Sequence, residues 1–208
     1  MSGRFISLEG GEGVGKSTQA RRLAEALIQR GVDVVLTREP GGSPGAEAVR
    51  ALLLEGEGER WTPTTEALLF AAARADHVAR TIRPALARGA TVICDRFIDS
   101  SRAYQGAAGV DDAAIMALHA IGSGGLLPDR TLLLSLPPGE AAARAMARDG
   151  GNADRIGGRD AAYHAKVATL LASFARAERR RFRFVDAAGA EDVVTRRLLV
   201  AALDGTAG

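Results

Sequence analysis

A glycine-rich segment near the start of the chain limits the possible folds more than any other feature. It reads Gly10-Gly11-Glu12-Gly13-Val14-Gly15-Lys16-Ser17 and matches in full the pattern GxxxxGK followed by Ser or Thr. Residues 5–8 before it are mostly apolar, as in a buried strand, and residues 18–30 after it have a helical periodicity. A strand, this loop and a helix in that order predict a phosphate-binding loop.

The residue types of this loop suit a nucleoside triphosphate. Glycines allow backbone N–H groups to turn inward around phosphate oxygens, and the N-terminus of the following helix adds a partial positive charge. Lys16 is predicted to reach the β- and γ-phosphates, and the Ser17 hydroxyl to ligate Mg²⁺. The residues predicted to bind the triphosphate are Gly10, Gly11, Glu12, Gly13, Val14, Gly15, Lys16, Ser17 and Thr18.

Short apolar segments alternate with longer helical patterns along the whole chain. The predicted strands are residues 5–8, 34–36, 91–94, 131–136 and 182–185. The helical patterns cover residues 16–30, 44–54, 63–88, 112–122, 138–149, 160–180 and 190–204. This alternation predicts a three-layer α/β fold of the P-loop NTPase type, with a central parallel five-stranded sheet flanked by helices. The length fits a single domain over residues 1–208, with a short lid at about 148–160.

Composition argues against several classes of protein. The 27 basic and 25 acidic residues nearly balance, so no strong attraction to nucleic acid or to a membrane is expected. No apolar run reaches the roughly 20 residues that span a bilayer. The single cysteine, Cys94, rules out an internal disulfide, and the histidines lack zinc-type spacing. We therefore expect a cytoplasmic enzyme with no membrane or nucleic-acid partner. The arginine-rich residues 176–183 are interpreted as a solvated helix end.

A phosphate loop alone leaves the class of enzyme open. A GTPase would need an Asn/Thr-Lys-x-Asp motif for guanine, and neither lysine of the chain precedes such an aspartate. Transfer to a second phosphorylated substrate would need arginines on several loops, because guanidinium groups bind phosphate oxygens bidentately. Arg38 and Arg96 come at the ends of predicted strands, and Arg74 follows Phe70 by one helical turn. Asp95, at the end of an apolar strand, has the position of a carboxylate near the metal.

These motifs together resemble the thymidylate kinase family. The resemblance rests on the phosphate loop, on Thr37-Arg38-Glu39-Pro40-Gly41-Gly42, on Phe70 with Arg74, and on Asp95-Arg96-Phe97 followed by Ser100-Ser101-x-x-Tyr104-Gln105-Gly106. It covers residues 5–106 in order and spacing and continues more loosely to residue 187. It implies an ATP:dTMP phosphotransferase that uses Mg²⁺ to make dTDP for DNA synthesis, typically as a homodimer.

The resemblance also implies roles for individual residues. Arg38, Arg74 and Arg96 would hold the 5′-phosphate of dTMP, and Phe70 would stack on thymine. Tyr104 would crowd the 2′ side of the sugar, Ser101 and Gln105 would approach the base, and Glu12 would contact the 3′-hydroxyl. Arg144 and residues 186–189 would bind adenine. The residues implied in the transfer itself are Lys16, Asp95, Arg96, Arg148 and Arg155.

The lid residues follow from a difference within that family. Some members carry an arginine inside the phosphate loop, and others supply cations from a mobile lid. Since this loop has no arginine, Arg148 and Arg155 are expected to contact the ATP phosphates on closure, with Arg159 as a further candidate. Gly157 stands where related lids often have an acidic residue, so a contact through that carboxylate is not expected. Two alternatives stay open: another nucleoside or nucleotide kinase on the same scaffold, and a P-loop module that binds nucleotide without transfer.

Overall fold

The computed structural model describes residues 3–56, 60–149 and 154–204. Within these ranges five strands form one sheet: β1 (Arg4–Glu9), β2 (Val34–Arg38), β3 (Thr91–Asp95), β4 (Arg130–Ser135) and β5 (Phe182–Asp186). Their order across the sheet is β2-β3-β1-β4-β5, and each neighbouring pair is parallel. The predicted parallel sheet is confirmed, and each predicted strand overlaps an observed one.

Helices connect the strands and cover both faces of the sheet. Those in the described residues are α1 (Lys16–Ile28), α2 (Pro44–Leu54), α3 (Pro63–His77), α4 (Arg83–Ala87), α5 (Ile98–Ala107), α6 (Asp112–Ser123), α7 (Pro138–Asp149), α8 (Ala161–Ala177) and α9 (Glu191–Leu203). Several begin where the sequence provides a cap. Ser43 and Thr62 accept the backbone N–H three residues on, and a proline follows each of them at the first helical position.

The helices of the structure differ from the predicted ones in two places. The pattern over 63–88 is one long helix in the sequence, but a π-helical turn at Val78–Ile82 separates α3 from α4. Pro84 lies in the first turn of α4 and has no N–H to continue the ladder of hydrogen bonds. Helix α5 was not predicted, because every residue from Ile98 to Gln105 is buried, polar or not, so the sequence carries no amphipathic stripe.

The sheet lies between two apolar layers. On one face Leu8 and Ile93 pack with residues of α1 and α9, such as Leu23 and Leu198. On the other face Phe5 and Val92 pack against the π-helical turn, α4 and α5. Among the described helices, none is both long and apolar enough to cross a membrane.

The register of the sheet brings the motifs to one edge. Leu8 and Arg38 both pair with Asp95, so β1, β2 and β3 end at the same level. Backbone hydrogen bonds from Glu39 N to Asp95 O and from Arg96 N to Leu8 O, both at 3.0 Å, extend the pairing into the loops. Ligands of open α/β sheets bind beyond the carboxyl ends of the strands, and this edge is therefore where the site is expected.

Candidate active site

A cavity of about 500 Å³ opens at this edge of the sheet. Its walls come from the phosphate loop, the ends of β2 and β3, and helices α2, α3, α5 and α7. The predicted site residues that line it are Glu12, Gly13, Gly15, Lys16, Ser17, Thr18, Arg38, Phe70, Arg74, Asp95, Arg96, Ser101, Tyr104, Gln105 and Arg144. Residues separated by more than a hundred positions in sequence thus face one space.

The phosphate loop has the backbone that its glycines allow. Gly10, Gly13 and Gly15 all have positive φ, which other residue types adopt only with strain. Helix α1 begins immediately afterwards at Lys16, so its N-terminus faces the loop. The ammonium group of Lys16 donates to Gly11 O at 2.6 Å. Burial, together with the neighbouring Arg96 guanidinium, lowers the pKa of Lys16 to about 8.

Helix α7 lies directly against the phosphate loop at Gly13. A Cβ atom built on Gly13 would lie 2.0 Å from Ala141 O and 2.9 Å from Ala145 N. At Gly15 a Cβ atom would meet nothing within 4 Å. The loop therefore touches the backbone of α7 on one side and opens toward the cavity on the other.

Ser17 and Asp95 meet at the metal end of the cavity. The Ser17 hydroxyl donates to Asp95 Oδ2 at 2.5 Å, and Asp95 Oδ1 is buried without a hydrogen-bond partner. An unpaired buried carboxylate oxygen is costly unless a cation or donor arrives. In the described residues, no group of three or more His, Cys, Asp or Glu residues could hold a metal. This sparse oxygen set fits Mg²⁺, which keeps waters and substrate phosphates as its other ligands.

Arg96 is held in place from several sides. Among the non-glycine residues that the structure describes, Arg96 alone has a positive φ, of 71°. Its guanidinium donates to Ser100 Oγ at 3.1 Å, forms an ion pair with Glu12, and lies 4.9 Å from the centre of the Tyr104 ring. The Tyr104 hydroxyl donates to the same Glu12 carboxylate at 2.8 Å, and burial raises the pKa of Tyr104 above its usual range. Glu12, Arg96 and Tyr104 thus form one cluster beside the phosphate loop.

Arg74 is almost completely buried in the wall of the cavity. Its Nε donates to Glu39 at 2.7 Å and its NH2 group to Ser101 Oγ at 2.8 Å. Glu39 also pairs with the His77 ring at 3.0 Å. These contacts fix the guanidinium between the loop after β2 and helix α5. Phe70, one turn earlier on α3, is half-buried and lines the same cavity.

Arg38 and Arg50 stand at the outer rim. Arg38 is half-exposed and forms an ion pair with Glu47 at 3.1 Å. Arg50, on α2, donates to Pro40 O at 2.6 Å and lines the cavity, but the sequence analysis did not single it out. No motif marks Arg50, and an arginine on an exposed helix is usually solvated. The structure places Arg50 at the site because the loop after β2 positions α2 over the cavity, and the sequence does not indicate that arrangement.

The residues of the predicted lid differ in whether they face the cavity. Asp154, Ile156 and Gly157 line the cavity, but Arg155 is not part of its wall. Its side chain is 2% exposed and donates to Glu66 at 2.6 Å. The side chain of Arg148 and residues 150–153 lie outside the described part of the chain. Arg155 therefore has a buried anionic partner that the sequence did not reveal, and the phosphate contacts of both arginines stay predictions.

Arg159 and Arg144 also have partners within the protein. Arg159 donates to Glu66 at 2.8 Å and to the Tyr163 hydroxyl at 2.6 Å, and it does not line the cavity. Arg144 donates to Ala187 O at 3.4 Å, which brings it to the loop after β5. The predicted adenine-binding elements are thus neighbours.

Comparisons with known proteins agree with this geometry. The family model described as Thymidylate kinase matches residues 8–198. The chain is 60% identical over 205 residues to a thymidylate kinase of Rhizorhabdus wittichii, covering 98% of this chain and 99% of the relative. It is 53% identical over 196 residues to one of Caulobacter vibrioides, covering 93% and 92%. A crystal structure of thymidylate kinase from Ehrlichia chaffeensis superposes with a TM-score of 0.76 at 30% identity, covering 96% and 98%. Because the family model matches almost the whole chain and two relatives share more than half of their aligned residues with it, this chain belongs to the thymidylate kinase family.

Proposed function

We propose that this chain transfers the γ-phosphoryl group of Mg²⁺-bound ATP to dTMP, forming ADP and dTDP for DNA synthesis. The observation that carries the proposal is the single cavity that joins Lys16 and Ser17 of the phosphate loop to Phe70, Arg74 and Arg96. One end of this cavity suits a triphosphate, and the other suits a phosphorylated pyrimidine nucleoside. Membership of the thymidylate kinase family supports the same reaction and the use of ATP as donor.

The donor would lie along the phosphate loop. Backbone N–H groups of residues 10–18 and the N-terminus of α1 would hold its phosphates. Lys16 would leave Gly11 O for the β- and γ-phosphates, whose negative charge keeps the ammonium group protonated. Arg144 and the loop after β5 would bind the adenine.

Ser17 and Asp95 would hold the Mg²⁺ ion. The unpaired Oδ1 atom of Asp95 and the adjacent Ser17 hydroxyl are oxygen donors of the kind the ion prefers. When bound, the ion neutralises charge that develops on the phosphate oxygens during transfer. Asp95 also fixes the Ser17 hydroxyl, so the two ligands are oriented before nucleotide arrives.

The acceptor would lie against α3 and α5. Arg96, Arg74 and the rim residues Arg38 and Arg50 would surround its 5′-phosphate. Phe70 would stack on thymine, and Tyr104 would exclude a 2′-hydroxyl. Ser101 and Gln105 face the position of the base, and Glu12 would accept the 3′-hydroxyl.

Positioning and charge neutralisation account for the chemistry. A phosphate oxygen of dTMP forms a bond to the γ-phosphorus, and the bond from that phosphorus to the β–γ bridging oxygen breaks. The attacking oxygen is already an anion, so a general base is not required. Arg96 and Lys16 reduce the repulsion between the two polyanions and stabilise the charge of the transferring group. Arg148 of the lid would add to this on closure, and Arg155 would do so by leaving Glu66 Oε2, where Arg159 remains.

We further propose that residues 1–208 form one kinase domain with a lid at about 148–160, and that it acts as a homodimer in the cytoplasm. The continuous sheet and shared core clusters of the described residues support one domain. Gel filtration with light scattering tests the dimer.

The function is tested by measuring ADP release with Mg-ATP and a panel of acceptors: dTMP, dUMP, UMP, dCMP, AMP, GMP and thymidine. A strong preference for dTMP is expected, with UMP rejected because of Tyr104. Equal use of AMP or GMP, or a preference for unphosphorylated thymidine, would overturn the acceptor assignment.

A further inference from the structure

A buried carboxylate links the predicted base pocket to the lid. Glu66, on α3, has no exposed surface. Its Oε1 accepts the Gln105 amide at 3.0 Å, and its Oε2 accepts Arg155 at 2.6 Å and Arg159 at 2.8 Å. The two oxygens are therefore divided between one amide and two guanidinium groups. None of the roles assigned above involves Glu66.

This carboxylate dictates the orientation of the Gln105 amide. A carboxylate held by two guanidinium groups offers lone pairs only, so Gln105 must turn its NH₂ group toward it. The carbonyl oxygen, Oε1, lies in the same plane on the opposite side of the Cγ–Cδ bond, and so it points away from Glu66. Gln105 is fully buried and lines the cavity, and its Oε1 has no hydrogen-bond partner in the described structure. A residue that lines the cavity thus has a buried, unsatisfied acceptor, and Glu66 on its other side sets the orientation of its amide.

We propose that Glu66 is a positioning residue that selects imide bases, thymine and uracil, over cytosine by holding the Gln105 carbonyl toward the base. N3 of thymine or uracil carries a hydrogen that this carbonyl accepts. N3 of cytosine carries a lone pair instead, and two facing acceptors repel each other. The inference rests on the proposed function, since it places a pyrimidine beside Gln105.

Glu66→Gln inverts this polarity with almost no change in shape. Arg155 and Arg159 still need an acceptor at the position of Oε2, so the new amide places its oxygen there. Its NH₂ group then takes the position of Oε1 and donates to Gln105. The Gln105 amide must turn over to accept that bond, and it presents NH₂ to the base. The variant cavity therefore matches N3 of cytosine.

The experiment compares kcat/KM for dTMP, dUMP and dCMP in the purified full-length protein and the variant. The ratio of dTMP to dCMP is expected to fall by about tenfold or more, the effect of one mismatched buried hydrogen bond. The ratio of dTMP to dUMP is expected to stay unchanged, because both bases carry N3–H. A general loosening of the pocket would lower both ratios together.

Two matched variants separate polarity from packing and from charge. Glu66→Asp keeps an acceptor-only side chain, so its dTMP to dCMP ratio should stay within about twofold of the parent, whatever its overall rate. Arg159→Gln removes one cation from Oε2 without touching Gln105, and it should also preserve the ratio.

Glu66→Gln leaves Arg155 buried beside a neutral group, which can cost enough stability to prevent folding. The double variant Glu66→Gln/Arg155→Met removes the buried cation as well, and Arg159 still requires an acceptor at Oε2. Compared with Arg155→Met alone, it should show the same fall in the dTMP to dCMP ratio.

Unchanged ratios in folded Glu66→Gln or in the double variant overturn the inference, as does a parallel fall of both ratios. A parent protein that fails to phosphorylate dTMP overturns the proposed function instead. The two failures are distinguishable because the second is seen before any variant is made.

Discussion

The carboxylate of Glu9, at the end of β1, accepts the Ser100 hydroxyl at 2.6 Å. It also accepts the backbone N–H groups of Phe97 at 2.8 Å and Ser100 at 3.3 Å. Helix α5 has no capping side chain of its own, so a residue about ninety positions earlier caps it. Ser100 in turn accepts Arg96 at 3.1 Å. Glu9 therefore orients Arg96, the arginine proposed to contact the 5′-phosphate of dTMP and the γ-phosphate of ATP.

Replacing Glu9 by Gln should change the pH dependence of stability. Burial and the neighbouring Asp99 raise the pKa of Glu9 from 4.5 to about 7. The folded protein then holds a proton that the unfolded chain releases, so the parent loses stability as pH rises from about 4.5 to 7. Glutamine resembles the protonated acid and lacks this loss. Relative to the parent, the variant should gain up to about 3 kcal/mol across that window.

Urea unfolding at pH 5 and pH 8 measures this difference. The free energies of unfolding should be similar at pH 5 and diverge at pH 8 in favour of Glu9→Gln. A difference that is the same at both pH values would contradict the raised pKa.

Asp95→Asn should weaken the response to Mg²⁺. Asparagine keeps the shape beside Ser17 but removes the charge on the unpaired oxygen. The Mg²⁺ concentration for half-maximal activity is expected to rise by about tenfold or more. Kinetic titration with Mg²⁺ at saturating ATP and dTMP measures it, and the melting temperature serves as a folding control. An unchanged Mg²⁺ requirement would remove Asp95 from the metal site.

Arg74→Lys should affect dTMP far more than ATP. Lysine keeps a positive charge near Glu39 but cannot bridge Glu39 and Ser101 while it binds a phosphate bidentately. The KM for dTMP is expected to rise about tenfold or more, and the KM for ATP to stay within about twofold. Arg80→Lys, in the adjoining π-helical turn with an exposed ion pair to Asp76, is the control and should leave both constants unchanged. A rise in KM for ATP alone would place Arg74 on the donor side.

Gly13→Ala should displace helix α7. The new methyl group would lie 2.0 Å from Ala141 O, in addition to the strain of φ 76°. Gly31→Ala is a matched control, because Gly31 has φ 79° and open space around its Cβ position. Gly31→Ala is expected to lose about 1–2 kcal/mol from strain alone, and Gly13→Ala more than that. Urea unfolding compares the two variants, and an equal loss would mean that α7 does not depend on this contact.

Much of the fold could be predicted because its signals are local. The phosphate loop needs its glycines, lysine and serine in one run, and each strand is a short apolar segment with breaks on either side. Helix α5 was missed because its polar residues are buried by the rest of the protein. Asp99 and Ser100 are residue types that are common in loops. In the structure Arg102 and Arg181 pair with Asp99, and Glu9 accepts the Ser100 hydroxyl.

The long-range pairs of the site could not be predicted from the sequence for a similar reason. Arg74 was identified by its spacing from Phe70, but its partner Glu39 was not. Arg155 was predicted to contact the ATP phosphates, and its pairing with Glu66, 89 positions earlier, was not predicted. Nothing in the sequence near either residue indicates such a pairing, because it depends on how α3 meets the chain before α8.

The contact between Gly13 and α7 limits where a cation can be added to the phosphate loop. An arginine at position 13 would have to pass through the space that the Ala141 carbonyl occupies. An arginine therefore cannot be introduced at position 13 by one substitution, since α7 must first move away. An engineered variant with a cation at position 13 should therefore combine that substitution with a redesign of the first turns of α7.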